Sequence, residues 1–165
     1  MTIPSWHEYF MRHVYLASSK SKDPSTQIGA VLVRDKSIFS EGYNGLCRGV
    51  DDNVAERLAR PEKYFWFEHG ERNAIYNAAR KGISTLGSTM FTNGIPCADC
   101  ARAVIQAGVE TVCVHSEWDE SQSSGKWNES CGKSLVMLKE AGVKIETFTG
   151  KLGLETLRNG KIIQV

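Results

Sequence analysis

Two short segments hold residue types that do chemistry together: His69-Gly70-Glu71 and Pro96-Cys97-Ala98-Asp99-Cys100. One imidazole and two thiolates make three ligands for a zinc ion, which leaves the fourth tetrahedral position for water. The gap of two residues between Cys97 and Cys100 suits one ion held at the first turn of a helix. There the unpaired N–H groups and the helix dipole favour thiolate over thiol. Pro96 fits the entry to such a helix, because its missing N–H costs nothing at that position. Glu71 stands two residues past the histidine, beside the metal without being forced to ligate it. A carboxylate so placed can take a proton from zinc-bound water and pass it on. A structural zinc site needs a fourth protein ligand instead, and none adjoins this set. Either segment alone is common; the two together, on two helix starts separated by one strand, are rare.

Periodicity supplies the frame for these segments. Residues 5–18 read as an amphipathic helix, with Trp6, Tyr9, Phe10, His13, Val14 and Ala17 at helical spacing behind the start signals Pro4 and Ser5. Residues 27–33 are apolar and β-branched, and pair through a turn at 34–36 with a second strand at 37–42. Residues 46–68 read as a polar, aromatic-rich insert, with a helix at 54–60 stopped by Pro61. Further helices are expected at 69–81, 96–107 and 129–141, each ended by a glycine. Strands are expected at 88–92, 109–114 and 143–148, and residues 116–128 form a polar loop holding Trp118 and Trp127. The tail from Thr149 is weakly patterned. The order α-β-β-α-β-α-β-α-β predicts one α/β domain over residues 1–165. Its first two strands form an antiparallel hairpin, and the later ones run mostly parallel through right-handed crossovers.

Composition narrows the function classes. The chain has 165 residues, 41% hydrophobic and 24% charged, the balance of a soluble globular domain and not of a disordered, collagenous or coiled-coil chain. No apolar run reaches the length of a membrane span, and the first residues lack a signal-peptide stretch, so a cytoplasmic location is expected. The net charge of +1 supplies no global field for a polynucleotide, so a nucleic-acid partner is not expected. Five cysteines, an odd number in a chain that is not small, argue against a disulfide framework. Cys113 sits in a strand-like apolar run and reads as core packing; Cys47 and Cys131 read as plain thiols.

H-x-E followed by P-C-x-x-C is the signature of zinc-dependent deaminases, and with these residues the chain resembles the cytidine/deoxycytidylate deaminase superfamily. Within it the resemblance is to the deoxycytidylate (dCMP) branch. Four stretches carry the likeness: SKDPSTQIGA from Ser21, GYNG from Gly42, HGERNAI from His69, and PCADC from Pro96 with IQAG from Ile105. The resemblance implies a three-layer α/β/α fold around a central five-stranded mixed sheet. It implies hydrolysis of dCMP to dUMP with release of ammonia, which supplies the dTMP pathway. By position it implies one zinc per chain on His69, Cys97 and Cys100, with Glu71 as proton shuttle and the Gly70 N–H on the pyrimidine O2. It places Asn44 on the deoxyribose, although Asn44-Gly45 is also an ordinary turn dipeptide. Lys22, Ser25 and Thr26 are candidates for the 5′-phosphate, and Trp118 for the wall beside the base. Such enzymes are often homo-oligomers, dimers or hexamers, regulated by dCTP and dTTP. Asp51 and Asp52 stand where an effector nucleotide with Mg2+ would bind, and equally where a loop or helix cap would be.

The likeness is imperfect in places. Glycine stands at position 70 where the superfamily usually has alanine, and Leu46-Cys47 replaces the usual proline-containing step after Gly45. Two other readings stay open. One is the same chemistry on dCTP, a modified dCMP, cytidine or tRNA adenosine. The other is a zinc-binding module without turnover. Glu71→Gln separates them, because only an enzyme would keep its zinc and lose a reaction.

Overall fold

Side chains alternate between two separate cores along the strand Gly29–Arg34. Ala30 and Leu32 enter one buried cluster, Val31 and Val33 the other. The computed structural model describes residues 3–118 and 126–165. In its first half the elements are α1 (Trp6–Ser18), β1 (Gly29–Arg34), β2 (Ser37–Tyr43), β3 (Gly45–Leu46), a 3-10 turn (Ala55–Leu58), α2 (Lys63–Trp66) and β4 (Phe67–Glu68). Then follow α3 (Gly70–Arg80), β5 (Thr89–Thr92), α4 (Ala98–Gln106), β6 (Thr111–His115), α5 (Lys126–Glu140), β7 (Lys144–Phe148), β8 (Glu155–Arg158) and β9 (Lys161–Gln164).

The central sheet has five strands in the order β2-β1-β5-β6-β7. β1 runs antiparallel to both β2 and β5, while β5–β6 and β6–β7 are parallel. This is the expected mixed sheet. One face carries α3, α4 and α5 through Ala74, Ala78, Ala101, Val104 and Leu138. The other carries α1 through Phe10, Met11 and Val14. Period-two alternation in β1, β5 and β6 feeds both cores at once, the requirement for a sheet covered on both faces. Cys113 lies fully buried beside Phe91 in the α1 core, where the sequence put it.

One helix on each face of the sheet, α1 and α3, lies backbone-close to it. A Cβ added at Gly29 would sit 2.1 Å from Val14 O of α1, and one at Gly42 would sit 2.3 Å from Ala74 N and 2.4 Å from Gly70 O of α3. Only glycine permits that approach.

Three expectations need correction. The insert is not a loop around a helix at 54–60. It holds a 3-10 turn and the short α2 beyond Pro61, and the two-residue pairing of β3 with β4 clamps its ends. The last helix begins at Lys126, three residues ahead of the apolar pattern. The tail from Thr149 is a hairpin, β8 with β9. Asn159 and Gly160 both take positive φ, 51° and 74°, as a tight two-residue turn between right-twisted strands requires. Leu152 and Val165 bury with α1, and Ile163 packs against that cluster. The pattern was weak because much of each strand faces solvent.

Candidate active site

His69 caps α3 and Cys97 caps α4, each with extended backbone just outside its helix, and Cys100 lies in the first turn of α4. α4 follows β5 of the central sheet, whereas α3 follows β4 of the two-stranded β3–β4 pair. His69 Nδ1 lies 3.4 Å from Cys97 Sγ and 3.5 Å from Cys100 Sγ. A tetrahedral zinc with bonds of about 2.0 Å to nitrogen and about 2.3 Å to sulfur sets that nitrogen–sulfur edge at about 3.5 Å. The triangle therefore fits zinc, with Nδ1 and not Nε2 as the histidine donor.

Electrostatics within the triangle point the same way. A hydrogen bond from Cys100, helped by His69 and opposed by burial, holds the Cys97 thiol down at about 4. Sharing that hydrogen with Cys97, together with burial, pushes Cys100 up. Burial disfavours the His69 cation, but the Cys97 contact and the Glu71 charge outweigh it and raise the imidazole. These groups are arranged to hold positive charge among them.

Glu71, the second residue of α3, is 5% exposed. Its Oε2 has no hydrogen-bond partner among the described residues. Burial raises its carboxyl above the usual carboxylate range, and the nearby Cys97 charge adds to the shift. A buried, unpartnered carboxylate oxygen costs free energy unless something else uses it.

His69, Glu71 and Cys97 open onto a cavity of about 840 Å³. Asn44, Ser25, Thr26 and Trp118 also line it. Gly70 is buried between the cavity-lining His69 and Glu71, and a Cβ added there would lie 3.0 Å from Ile28 O. Asn44 is more committed than a turn residue. Its Oδ1 accepts from Ile28 N at 2.8 Å, and its Nδ2 donates to Thr26 O at 2.8 Å and Asp23 Oδ2 at 3.1 Å. Lys22, Asp51 and Asp52 are not among the lining residues. Lys22 Nζ lies 2.6 Å from Asp52 Oδ2, and Asp51 accepts from Asn53 N and Nδ2, both at 3.0 Å. The two acids turn to separate partners and form no shared cation site with the zinc triangle.

Several cavity residues escaped sequence reading. Arg60 and Lys63 come from the insert, Arg158 and Asn159 from the tail, and Trp127 from the first turn of α5. The Trp127 ring lies 6.0 Å from the His69 ring. Lys63 Nζ holds Asp23 at 2.9 and 2.8 Å, both side chains buried. The turn dipeptide Asn159-Gly160 was the available signal for the tail. No periodicity marks Arg60 or Lys63.

A histidine, two cysteines and a buried carboxylate at two helix starts above a mixed sheet define a zinc-dependent hydrolytic enzyme. Residues 4–116 match the sequence profile of the cytidine and deoxycytidylate deaminase zinc-binding region, a span that includes His69, Glu71, Cys97 and Cys100. The chain belongs to the cytidine and deoxycytidylate deaminase family and is a hydrolytic deaminase. Deoxycytidylate deaminase of Mus musculus is 36% identical over 152 residues, covering 88% of this chain and 81% of that protein. An uncharacterised deaminase from the luxG 3′ region of Aliivibrio fischeri is 36% identical, covering 87% and 93%. The dCMP deaminase of cyanophage S-TIM5, solved with dCMP and dUMP, superposes with a TM-score of 0.68 at 25% identity. It covers 90% of this chain and all of that one. No helix among the described residues is long and apolar enough to cross a membrane.

Proposed function

We propose that the chain hydrolyses dCMP to dUMP and ammonia, and that Glu71 carries the protons. The observation that carries this reading is the zinc-sized triangle of His69, Cys97 and Cys100 beside the unpartnered Oε2 of Glu71, all at one cavity. Relatives named deoxycytidylate deaminase, and a neighbour solved with dCMP and dUMP, support this substrate over other cytosine compounds.

When bound, zinc supplies Lewis acidity at the open side of the triangle. Glu71 takes one proton of the attacking water and delivers it to the ring N3; it then takes the proton of the new C4 hydroxyl and gives it to the departing amine as the C4–N bond breaks. Burial raises the Glu71 carboxyl above the usual carboxylate range, which suits a group that must give protons as well as take them. The Gly70 N–H is the first of α3, so it has no intrahelical acceptor and is the candidate donor to the pyrimidine O2. Asn44 Oδ1 accepts one hydrogen bond from Ile28, and its second lone pair can take the deoxyribose hydroxyl. Trp118 walls the base, and Ser25 and Thr26 face the phosphate end. Lys22 has no part in this scheme, because Asp52 holds it outside the cavity.

The test is ammonia release by zinc-loaded protein from dCMP, dCTP, 5-methyl-dCMP, CMP, deoxycytidine and cytosine, for wild type and Glu71→Gln. Turnover of dCMP above the others, lost by about 100- to 10,000-fold in a Glu71→Gln protein that keeps its zinc, is the expected result. Preference for another member moves the substrate assignment. Silence across the panel with dTTP absent and dCTP present overturns it. The proposal extends to a homo-oligomer, dimer or hexamer, with dCTP and dTTP as effectors; sedimentation with and without nucleotide checks it. A Mg2+ site at Asp51 and Asp52 gains no support, since each acid is already bonded elsewhere.

A further inference from the structure

Cys113 stands in a row of residues that crosses three strands under α1. In the parallel register it pairs with Phe91 of β5 on one side and with Glu146 of β7 on the other. Paired residues of neighbouring strands project to the same face. Phe91 and Cys113 belong to the core that α1 covers, so Glu146 extends the row to the edge strand of the sheet. Over this row lies His7, the second residue of α1, its ring in edge contact with Phe91 at 5.6 Å. His7 Nε2 is 3.3 Å from Glu146 Oε2. A donor atom from each of His7, Cys113 and Glu146 lies within 4.8 Å of the other two. Cys113 is fully buried and forms the floor of this cluster. The His7 and Glu146 side chains, 54% and 48% exposed, form a rim open to solvent.

An exposed contact between imidazole and carboxylate contributes little by itself. The thiol beneath changes what the pair can do. Nitrogen, oxygen and sulfur donors together suit zinc, which accepts all three, whereas Mg2+ and Ca2+ take oxygen. Tetrahedral zinc with bonds of about 2.0 Å to nitrogen and oxygen sets those two atoms about 3.3 Å apart, the separation of His7 from Glu146. Edges to sulfur of about 3.5 Å are within reach, because the two half-exposed rim side chains can turn inward over Cys113. On binding, the Cys113 S–H bond breaks, the sulfur bonds to the ion and the proton leaves to solvent. Water fills the fourth position from the open side. None of the three residues lines the catalytic cavity, and the sheet face they share is the one that α3 and α4 do not cover.

We propose that His7, Cys113 and Glu146 bind a second zinc ion, which fastens the start of α1 to β6 and to the edge strand β7. The site is independent of the deaminase reading and needs no nucleotide. Phe10, Met11 and Val14 hold α1 further along by apolar packing, and the ion secures the turn ahead of them. With one thiolate where the catalytic triangle has two, this site yields its zinc to a chelator first.

The test is the zinc content of the whole chain after equilibrium dialysis against Zn2+, read by elemental mass spectrometry. Wild type should hold two ions per chain. His7→Gln and Glu146→Gln, both at exposed positions where folding is not at stake, should each hold one. Zinc should also raise the urea midpoint of wild type further than that of His7→Gln. Co2+ added to protein that already holds its first zinc should bring a thiolate-to-cobalt absorption band in the near ultraviolet, lost in Cys113→Ala. One zinc per chain in wild type, or no cobalt band, would overturn the proposal. So would a second zinc retained by both His7→Gln and Glu146→Gln, or a cobalt band that survives Cys113→Ala.

Discussion

Gly42→Ala tests whether the sheet sets the position of the chemistry. The new Cβ would lie 2.3 Å from Ala74 N, 2.4 Å from Gly70 O and 2.7 Å from Asn73 C. Ordinary contact begins near 3.5 Å, so α3 must retreat by about 1 Å. The atoms in the way are helix backbone, so no side-chain rotation relieves the clash. α3 carries Glu71 in its first turn and His69 as its cap. A retreat of about 1 Å would open the nitrogen–sulfur edges of 3.4 and 3.5 Å that suit zinc. Overpacking of this kind costs about 1–3 kcal/mol of stability, and misplacing a reacting group by about 1 Å costs about 100-fold in rate. The assays are urea unfolding, zinc titration against a chromophoric chelator, and ammonia release. Gly132→Ala is the control. It lies in α5 with nothing within 4 Å of the added Cβ, and should be neutral or stabilising by up to about 1 kcal/mol. A Gly42→Ala protein with wild-type stability, zinc affinity and rate would refute the claim that close sheet–helix approach positions the site.

Three other outcomes follow from buried groups. His115 Nε2 donates to Gly150 O and its Nδ1 accepts from Tyr15, both at 2.7 Å, and burial lowers its pKa below 6.5. The unfolded chain therefore binds the proton first, so this stability is complete above pH 6.5 and is lost as pH falls below it, by at most about 1.4 kcal/mol per pH unit. Urea unfolding at pH 7.5 and 5.5 should show a smaller drop in His115→Gln than in wild type. Lys63→Met leaves the buried Asp23 charge unpaired and should cost about 3–5 kcal/mol in urea unfolding; a loss below about 1 kcal/mol would show that the pair does not hold the loop. Cys47 is exposed, whereas burial pushes the Cys113 thiol up to about 12. Ellman's reagent should label Cys47 rapidly, in a phase absent from Cys47→Ser, and reach Cys113 only on unfolding.

The deaminase chemistry was legible because it is local. His69 and Glu71 are two residues apart, Cys97 and Cys100 three apart, and each pair is oriented by the start of its own helix. The layered class was legible because strands alternate with helices along the chain, while the division of β1, β5 and β6 between two cores shows only in the structure. Recognition of the rest of the substrate was not legible. Lys22 lies beside the cavity loop in sequence, yet its ion pair with Asp52 takes it elsewhere. Arg60 and Arg158 stand 98 positions apart and line one cavity because the insert is held through Lys63–Asp23 and the hairpin through Gln27 and Gly160. Periodicity reports which face of an element is buried. It says nothing about which loops an edge hairpin will lie across, because that depends on the shape of the surface the other elements have already built. The sequence by itself determined the residues proposed as zinc ligands and proton carrier, and the layered α/β order. Tertiary packing alone decided which cations line the cavity.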